Sequence, residues 1–244
     1  MRFTVDGEAG DAISFECADT IASRWTSGAI LEGRTYPHLP FIEDVAVALD
    51  VGANCGATTV HLARHHPGAT VHAFEPGSEA RLYLERNVAT LSNVSIHPFG
   101  LAADDRDATL HVDDSDLGKA SVVAPEVGNV TAEAVQLRSA AGWVAEAGLD
   151  RIDILKVDVE GCEVEVLEGL ASLLPTVKVL YVEYDSREAR RQIAHLLDDT
   201  HDLYYAALMA LDQGECCFVR REEATHPQAT PRLREIFARH LRAG

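Results

Sequence analysis

From residue 45 onward, short apolar runs alternate with stretches of helical spacing. The runs 45–51, Thr70–Phe74, 94–98, 152–157 and 177–183 are too short for helices and too continuously apolar for strands with one wet face. Between them, 57–66, 78–90, 139–147, 163–173 and Arg187–Leu197 carry apolar residues at helical intervals. Strands buried on both faces and separated by helices form βαβ units, and hence a parallel sheet covered on both sides. The segments 203–207 and 216–220, around a turn at 212–214, close the series as an antiparallel pair. The stretch 102–137 breaks the rhythm. It is rich in aspartate and reads as a hairpin-like insertion with a loop, its strands near 109–112 and 134–137.

The flanks differ from this body. Residues 1–44 read as a cap, with strands at 2–5 and 13–15 around a turn, a helix over 18–30, and interruptions at Tyr36-Pro37 and Leu39-Pro40. Residues 45–221 form the main domain, and 222–244 a basic tail. From 220 to the end there are six arginines against three acids, so a helix over 231–241 is expected to dock on the acidic body, with the acidic stretch 104–116 as its partner.

Composition narrows the function classes. The chain has 244 residues, 47% of them hydrophobic, which suffices for a sizeable core and excludes general disorder. With 39 acids against 21 lysines and arginines, the net charge of −18 argues against a nucleic-acid backbone or an anionic membrane as partner. The cysteines (Cys17, Cys55, Cys162, Cys216 and Cys217) are odd in number and lack a CxxC, which fits reduced thiols better than disulfides or zinc. No apolar signal core opens the chain and no run approaches a membrane span, so a cytoplasmic protein is expected.

Three motifs carry chemistry. In LDVGANCG (49–56), a buried strand ends in Asp50, and Gly52, Asn54 and Gly56 follow at alternate positions before a helix begins. Such a loop delivers a ligand to a helix N-terminus. The spacing departs from GxGxxG, and the preceding acid would repel a pyrophosphate but attract a sulfonium or ammonium, which points to S-adenosylmethionine rather than NAD. In FEP (74–76), Glu75 closes the next strand, where an acid accepts hydrogen bonds from ribose hydroxyls. In ILKVDVEGCEVEVLEGL (154–170), Lys156, Asp158 and Glu160 alternate with apolar residues on a strand and its exit loop.

Together LDVGANCG, FEP, Asn87 and LKVDVEGCE resemble the FkbM family of S-adenosylmethionine-dependent methyltransferases over about residues 45–184. The resemblance implies a class I methyltransferase Rossmann-like α/β fold, a seven-stranded, mostly parallel sheet with helices on both faces. It also implies O-methylation of a small natural-product or sugar-like metabolite, with S-adenosylhomocysteine as by-product. Asp50, Gly52, Asn54 and Gly56 would then line the methionine end of the cofactor, Glu75 with Pro76 the ribose, and Ser121 the variable loop nearby. Asp158 and Glu160 would face the methyl-transfer side. One departure is Ser139-Ala140, which stands where the family commonly has Leu-Asp.

A hydroxyl acceptor needs its proton removed; Asp158 is the first candidate for that base and Glu160 the second. The bland alternative is that both acids cap the helix after Gly161 and bind Lys156. A less favoured option is Mg²⁺ held by Asp158, Glu160, Glu183 and Asp185, since salt bridges to Lys156 or Arg187 explain the same acids. His61 and His65 suggest a solvated helix face, and His72 and His97 are weak candidates for the base. Trp25, Tyr36 and Trp143 either shape an acceptor pocket or pack. Rival readings are an N-methyltransferase, an NAD-linked oxidoreductase and a non-catalytic adenosyl-binding module; a homodimer is left open.

Overall fold

A computed structural model describes residues 1–113, 116–122 and 130–242. The chain opens with a hairpin, β1 (Arg2–Asp6) and β2 (Ala12–Glu16), and helix α1 (Ile21–Leu31), whose N-cap Thr20 accepts from Ser23 N at 3.0 Å. The body follows as β3 (Val47–Val51), α2 (Ala57–His65), β4 (Thr70–Phe74), α3 (Ser78–Val88) and β5 (Val94–His97). Next come β6 (Gly100–Ala102), β7 (Arg106–Asp113), β8 (Asp116–Ser121), β9 (Val130–Ser139), α4 (Ala140–Ala147), β10 (Ile154–Val157) and α5 (Glu163–Gly169). The chain closes with β11 (Val179–Tyr184), α6 (Arg187–Leu197), β12 (His201–Leu208), β13 (Gly214–Arg220), the short α7 (Arg221–Ala224) and α8 (Ala229–Arg242).

Seven strands form the main sheet in the order β12-β13-β11-β10-β3-β4-β5, with β13 antiparallel to its neighbours β11 and β12 and the other pairings parallel. Successive residues feed opposite cores. Ile154, Val179 and Cys217 face the cap side, while Leu155, Leu180 and Cys216 face α4–α6. Double burial explains the unbroken apolar runs and places the adjacent cysteines as filler on either face. The chain moves outward from β3 in one direction and returns through β10 to build the other half, so the crevice beyond the C-terminal ends of β3 and β10 is a topological switch point.

The 102–137 insertion is larger than a hairpin. It forms a second sheet, β6-β9-β7-β8, with β6 parallel to β9 and β7 antiparallel to both β9 and β8. Among the described residues its acids do not meet the basic tail: Asp104 pairs with Arg106, which also reaches Glu165 at 2.8 Å, and Asp105 accepts from Ser139 N at 2.7 Å. Ser139 in turn caps α4 by accepting from Gly142 N.

The tail helix instead seats on the cap. Buried Arg232 donates to His38 O and pairs with Glu8, and Arg239 reaches Glu8 at 2.9 Å. The same contact overturns the expected solvated face of α2. His61 is fully buried, 3.5 Å from Glu8 with its ring tilted against His65 at 4.4 Å, because the cap and α1 cover the helix. Burial, with neighbouring histidines, holds the His61 pKa well below its ordinary value. Among the described residues no helix is long and apolar enough to cross a membrane.

Candidate active site

The loop after β3 turns through three left-handed residues, Gly52 (φ 80°), Asn54 (φ 49°) and Gly56 (φ 88°). Gly52 N and Ala53 N both donate to Phe74 O, tying this loop to the end of β4. Close approach of protein, as well as of ligand, demands the glycines: a Cβ on Gly52 would lie 1.8 Å from Asp158 O, and one on Gly56 would meet Leu84 at 2.6 Å. Asn87 holds the loop from outside, donating to Cys55 O and Glu16 O and accepting from Glu16 N, which fastens the cap hairpin to it.

Glu75, 7% exposed, accepts from Asn54 N and Gly77 N, one on each carboxylate oxygen at 2.7 Å. Burial still outweighs these bonds and pushes its pKa up to about 7. Arg81 donates to Glu75 O and Pro76 O and sets the turn that follows.

Lys156 organises the next strand. Its buried ammonium donates to Gly52 O at 2.5 Å and lies 3.2 Å from Asp50 and 3.7 Å from Asp158. Burial opposes its charge, but Asp50 and Asp158 outweigh burial and hold the pKa above the ordinary lysine value. Asp158 Oδ2 also accepts from Tyr36 OH at 3.1 Å, a bond that brings the cap to the sheet edge. Turning away from β10, Glu160 takes φ 54°, and Glu163 Oε1 accepts from Val159 N and Gly161 N. Glu163 therefore holds the loop ahead of α5, and the N-cap residue Cys162 makes no side-chain cap bond, so neither Asp158 nor Glu160 caps the helix.

Two hollows meet at this edge. The smaller is lined by Gly52, Asn54, Glu75, Pro76, Asp158 and Glu160, with Ala120 of β8 and Val122 just beyond it. The larger, about 470 Å³, shares Gly52, Asn54, Asp158 and Glu160 and adds Trp25 and Tyr36 of the cap with Lys156, Glu183, Asp185 and Glu215. Glu183 and Glu215 face each other across the β11–β13 register. Burial, reinforced by Asp158, pushes Glu183 to about 10 and Glu215 to about 7.

Most of the expected residues thus converge, and several expectations change. Asp50 does not line either hollow: it is fully buried, bonded by Thr59 Oγ1 at 2.6 Å and faced by Lys156. Gly56 likewise starts α2 behind the wall. Ser121 clamps rather than lines, its hydroxyl donating to Glu160 O at 2.6 Å. His72 and His97 lie 3.1 Å apart and pack on Trp143, with burial lowering both pKa values, so neither is placed to act as the base and Trp143 is packing. Glu215 escaped sequence reasoning altogether. The signal available was a charged residue opening an otherwise apolar strand, GECCFVR.

The comparisons with known proteins agree with this geometry. Residues 50–211 match the model of the methyltransferase FkbM domain. The chain is 29% identical to Methyltransferase sdnD of Sordaria araneosa over 227 residues, covering 78% of this chain and 85% of that protein. It is 30% identical to Methyltransferase 1 of Beauveria bassiana over 159 residues, 56% of this chain and 63% of the relative, so the match spans under two thirds of that protein. It is 29% identical to the 2-O-methyltransferase NoeI of Sinorhizobium fredii over 161 residues, 58% of this chain and 64% of NoeI. The α/β architecture, the switch-point crevice and the match over most of the main sheet lead to one assignment: the chain belongs to the FkbM methyltransferase family.

Proposed function

We propose that this protein is an S-adenosylmethionine-dependent methyltransferase acting on an oxygen of a small-molecule acceptor. One observation carries the reading: two hollows of unlike chemistry join at the switch point through the shared wall of Gly52, Asn54, Asp158 and Glu160. The smaller fits an adenosyl group. Glu75 is a buried carboxylate with one backbone donor on each oxygen, and its raised pKa marks an unmet demand for donors such as ribose hydroxyls.

S-adenosylmethionine, when bound, supplies an electrophilic methyl on a sulfonium. The chain's part is to orient the partners, exclude water and accept a proton. Asp158 serves as the base at the shared wall. Tyr36 and Lys156 engage one of its oxygens and fix its orientation. Trp25 and Tyr36 of the cap wall the larger hollow, so the cap shapes the acceptor. Oxygen as the acceptor atom is supported by NoeI, a 2-O-methyltransferase, and the net charge of −18 favours a small molecule over nucleic acid.

Calorimetry with S-adenosylmethionine and a labelled-methyl transfer screen test the proposal. Glu75→Ala should weaken cofactor binding more than tenfold, roughly the loss of one or two charge-assisted hydrogen bonds. Unchanged affinity would remove Glu75 from the ribose site, and binding of NAD in place of S-adenosylmethionine would overturn the reading.

A further inference from the structure

The larger hollow gathers five acids, Asp158, Glu160, Glu183, Asp185 and Glu215, around Lys156. Asp158, Glu160 and Glu183 each present a carboxylate oxygen within 4.8 Å of the others, from the β10 exit loop and the end of β11. The inexpensive explanation for such acids is ion pairing, and the structure withdraws it where it matters. Lys156 serves Asp50 and Asp158, while Arg187 turns to Asp212 at 3.5 Å, leaving Glu183 and Asp185 without a cationic side chain in salt-bridge contact among the described residues. Tyr36 and Lys156 both approach Oδ2 of Asp158, so Oδ1 is left for a ligand.

A second feature, apart from the trio, points the same way. Glu215 is 7% exposed, lines the same hollow and meets no hydrogen-bond donor among the described residues. It stands directly opposite Glu183 in the β11–β13 register, where like charges ordinarily destabilise a sheet. A buried acid in that position takes up either a proton or a cation from outside the chain.

We propose that Asp158, Glu160 and Glu183, backed by Glu215, bind a divalent cation of the hard, oxygen-seeking class, such as Mg²⁺ or Mn²⁺. All-carboxylate donors suit these ions, which keep water in their remaining positions. An acceptor oxygen can replace one of those waters. That role rests on the methyltransferase reading above; the binding itself does not. The other cluster of metal-ligand type, Glu8 with His61 and His65, is answered already, because Arg232 and Arg239 both engage Glu8.

Mn²⁺ titration of the full chain, followed by the electron paramagnetic resonance of free Mn²⁺, tests the site without turnover. One saturable site is expected. Glu183→Gln should weaken it more than tenfold, Glu215→Gln several-fold, and His65→Gln not at all. Gln at 183 removes a repulsion, so the variant should fold; retained S-adenosylmethionine affinity verifies that and keeps the two proposals separable. Absence of saturable Mn²⁺ binding, or binding lost in His65→Gln and kept in Glu183→Gln, would overturn the site. So would protection against thermal unfolding by a simple diamine with none by Mn²⁺, which would assign the hollow to an organic ammonium group.

Discussion

In the smaller hollow the charged residues are already held by the protein: Glu75 by Asn54 N and Gly77 N, and, behind the wall, Asp50 by Thr59 and Lys156. In the larger hollow Glu183 and Glu215 confront each other with no donor among the described residues, while Asp158 has a cation and a phenol beside it. The first arrangement can stand without a ligand and be completed by a neutral one, such as ribose hydroxyls. In the second, Glu183 and Glu215 are met by a proton or by a cation that a ligand brings. That difference separates a preorganised binding lobe from a reactive one, and each substitution below tests one side of it.

The largest effect should come at the shared wall. Asp158→Asn keeps the shape, and with it cofactor affinity, while lowering transfer to a hydroxyl acceptor by roughly 10²–10⁴-fold, the usual contribution of a positioned base. Single-turnover rates beside calorimetric affinities separate the two. Full activity would remove Asp158 as the base.

Lys156→Met breaks the comparison from the other side, because it strips the preorganised region of its counter-charge. Asp50 is 0% exposed and would be left with Thr59 alone. Removing one partner of a buried pair costs roughly 3–5 kcal/mol. Denaturant unfolding measures this directly, and adding Asp50→Asn should recover a large part. A loss no greater than that of an exposed lysine would show that water reaches Asp50.

The two regions also differed in how much their sequence disclosed. The motifs around Gly52, Asn54 and Glu75 are contiguous: strand, turn and helix start fall within a few residues, so local pattern locates them and the sheet that carries them. Tyr36, Glu183 and Glu215 come together only through tertiary structure, across the cap contact and the β11–β13 register. The sequence near each shows nothing beyond a Tyr-Pro step or an acid at a strand end. His61 was misread for the same reason. Its helix is polar enough to look solvated, yet Glu8 and Arg232 come from opposite ends of the chain to cover it. Asp50 illustrates the converse, a motif residue correctly located whose work is done behind the wall rather than on it.

A smaller effect follows from pH. Glu215 is raised from its ordinary 4.5 to about 7, with burial the main cause and Asp158 the second. Between those values the folded chain holds a proton that the unfolded chain has released. Glu215 therefore contributes stability below pH 4.5 that is lost as the pH rises through 7. Glu215→Gln cannot lose it. Relative to the wild type, the variant should gain on the order of 2–3 kcal/mol across that window. Unfolding free energies of both proteins at the two ends of the window decide it; a difference independent of pH would mean that Glu215 is not buried as a charge.

The smallest expected effect concerns the link between the lobes. Tyr36 is fully buried, packs its ring at 5.6 Å from Tyr181 and spends its hydroxyl on Asp158. Tyr36→Phe keeps the packing and removes one donor to a carboxylate, a loss of about 1.5–3 kcal/mol for a hydrogen bond to a charged group. If Tyr36 only packs the cap, the rate should not move. If it orients Asp158, kcat should fall several-fold while the acceptor KM and the cofactor affinity stay as they were, because the cavity wall is unchanged and only the base has gained freedom. A rise in KM alone would instead make Tyr36 part of the acceptor's binding surface.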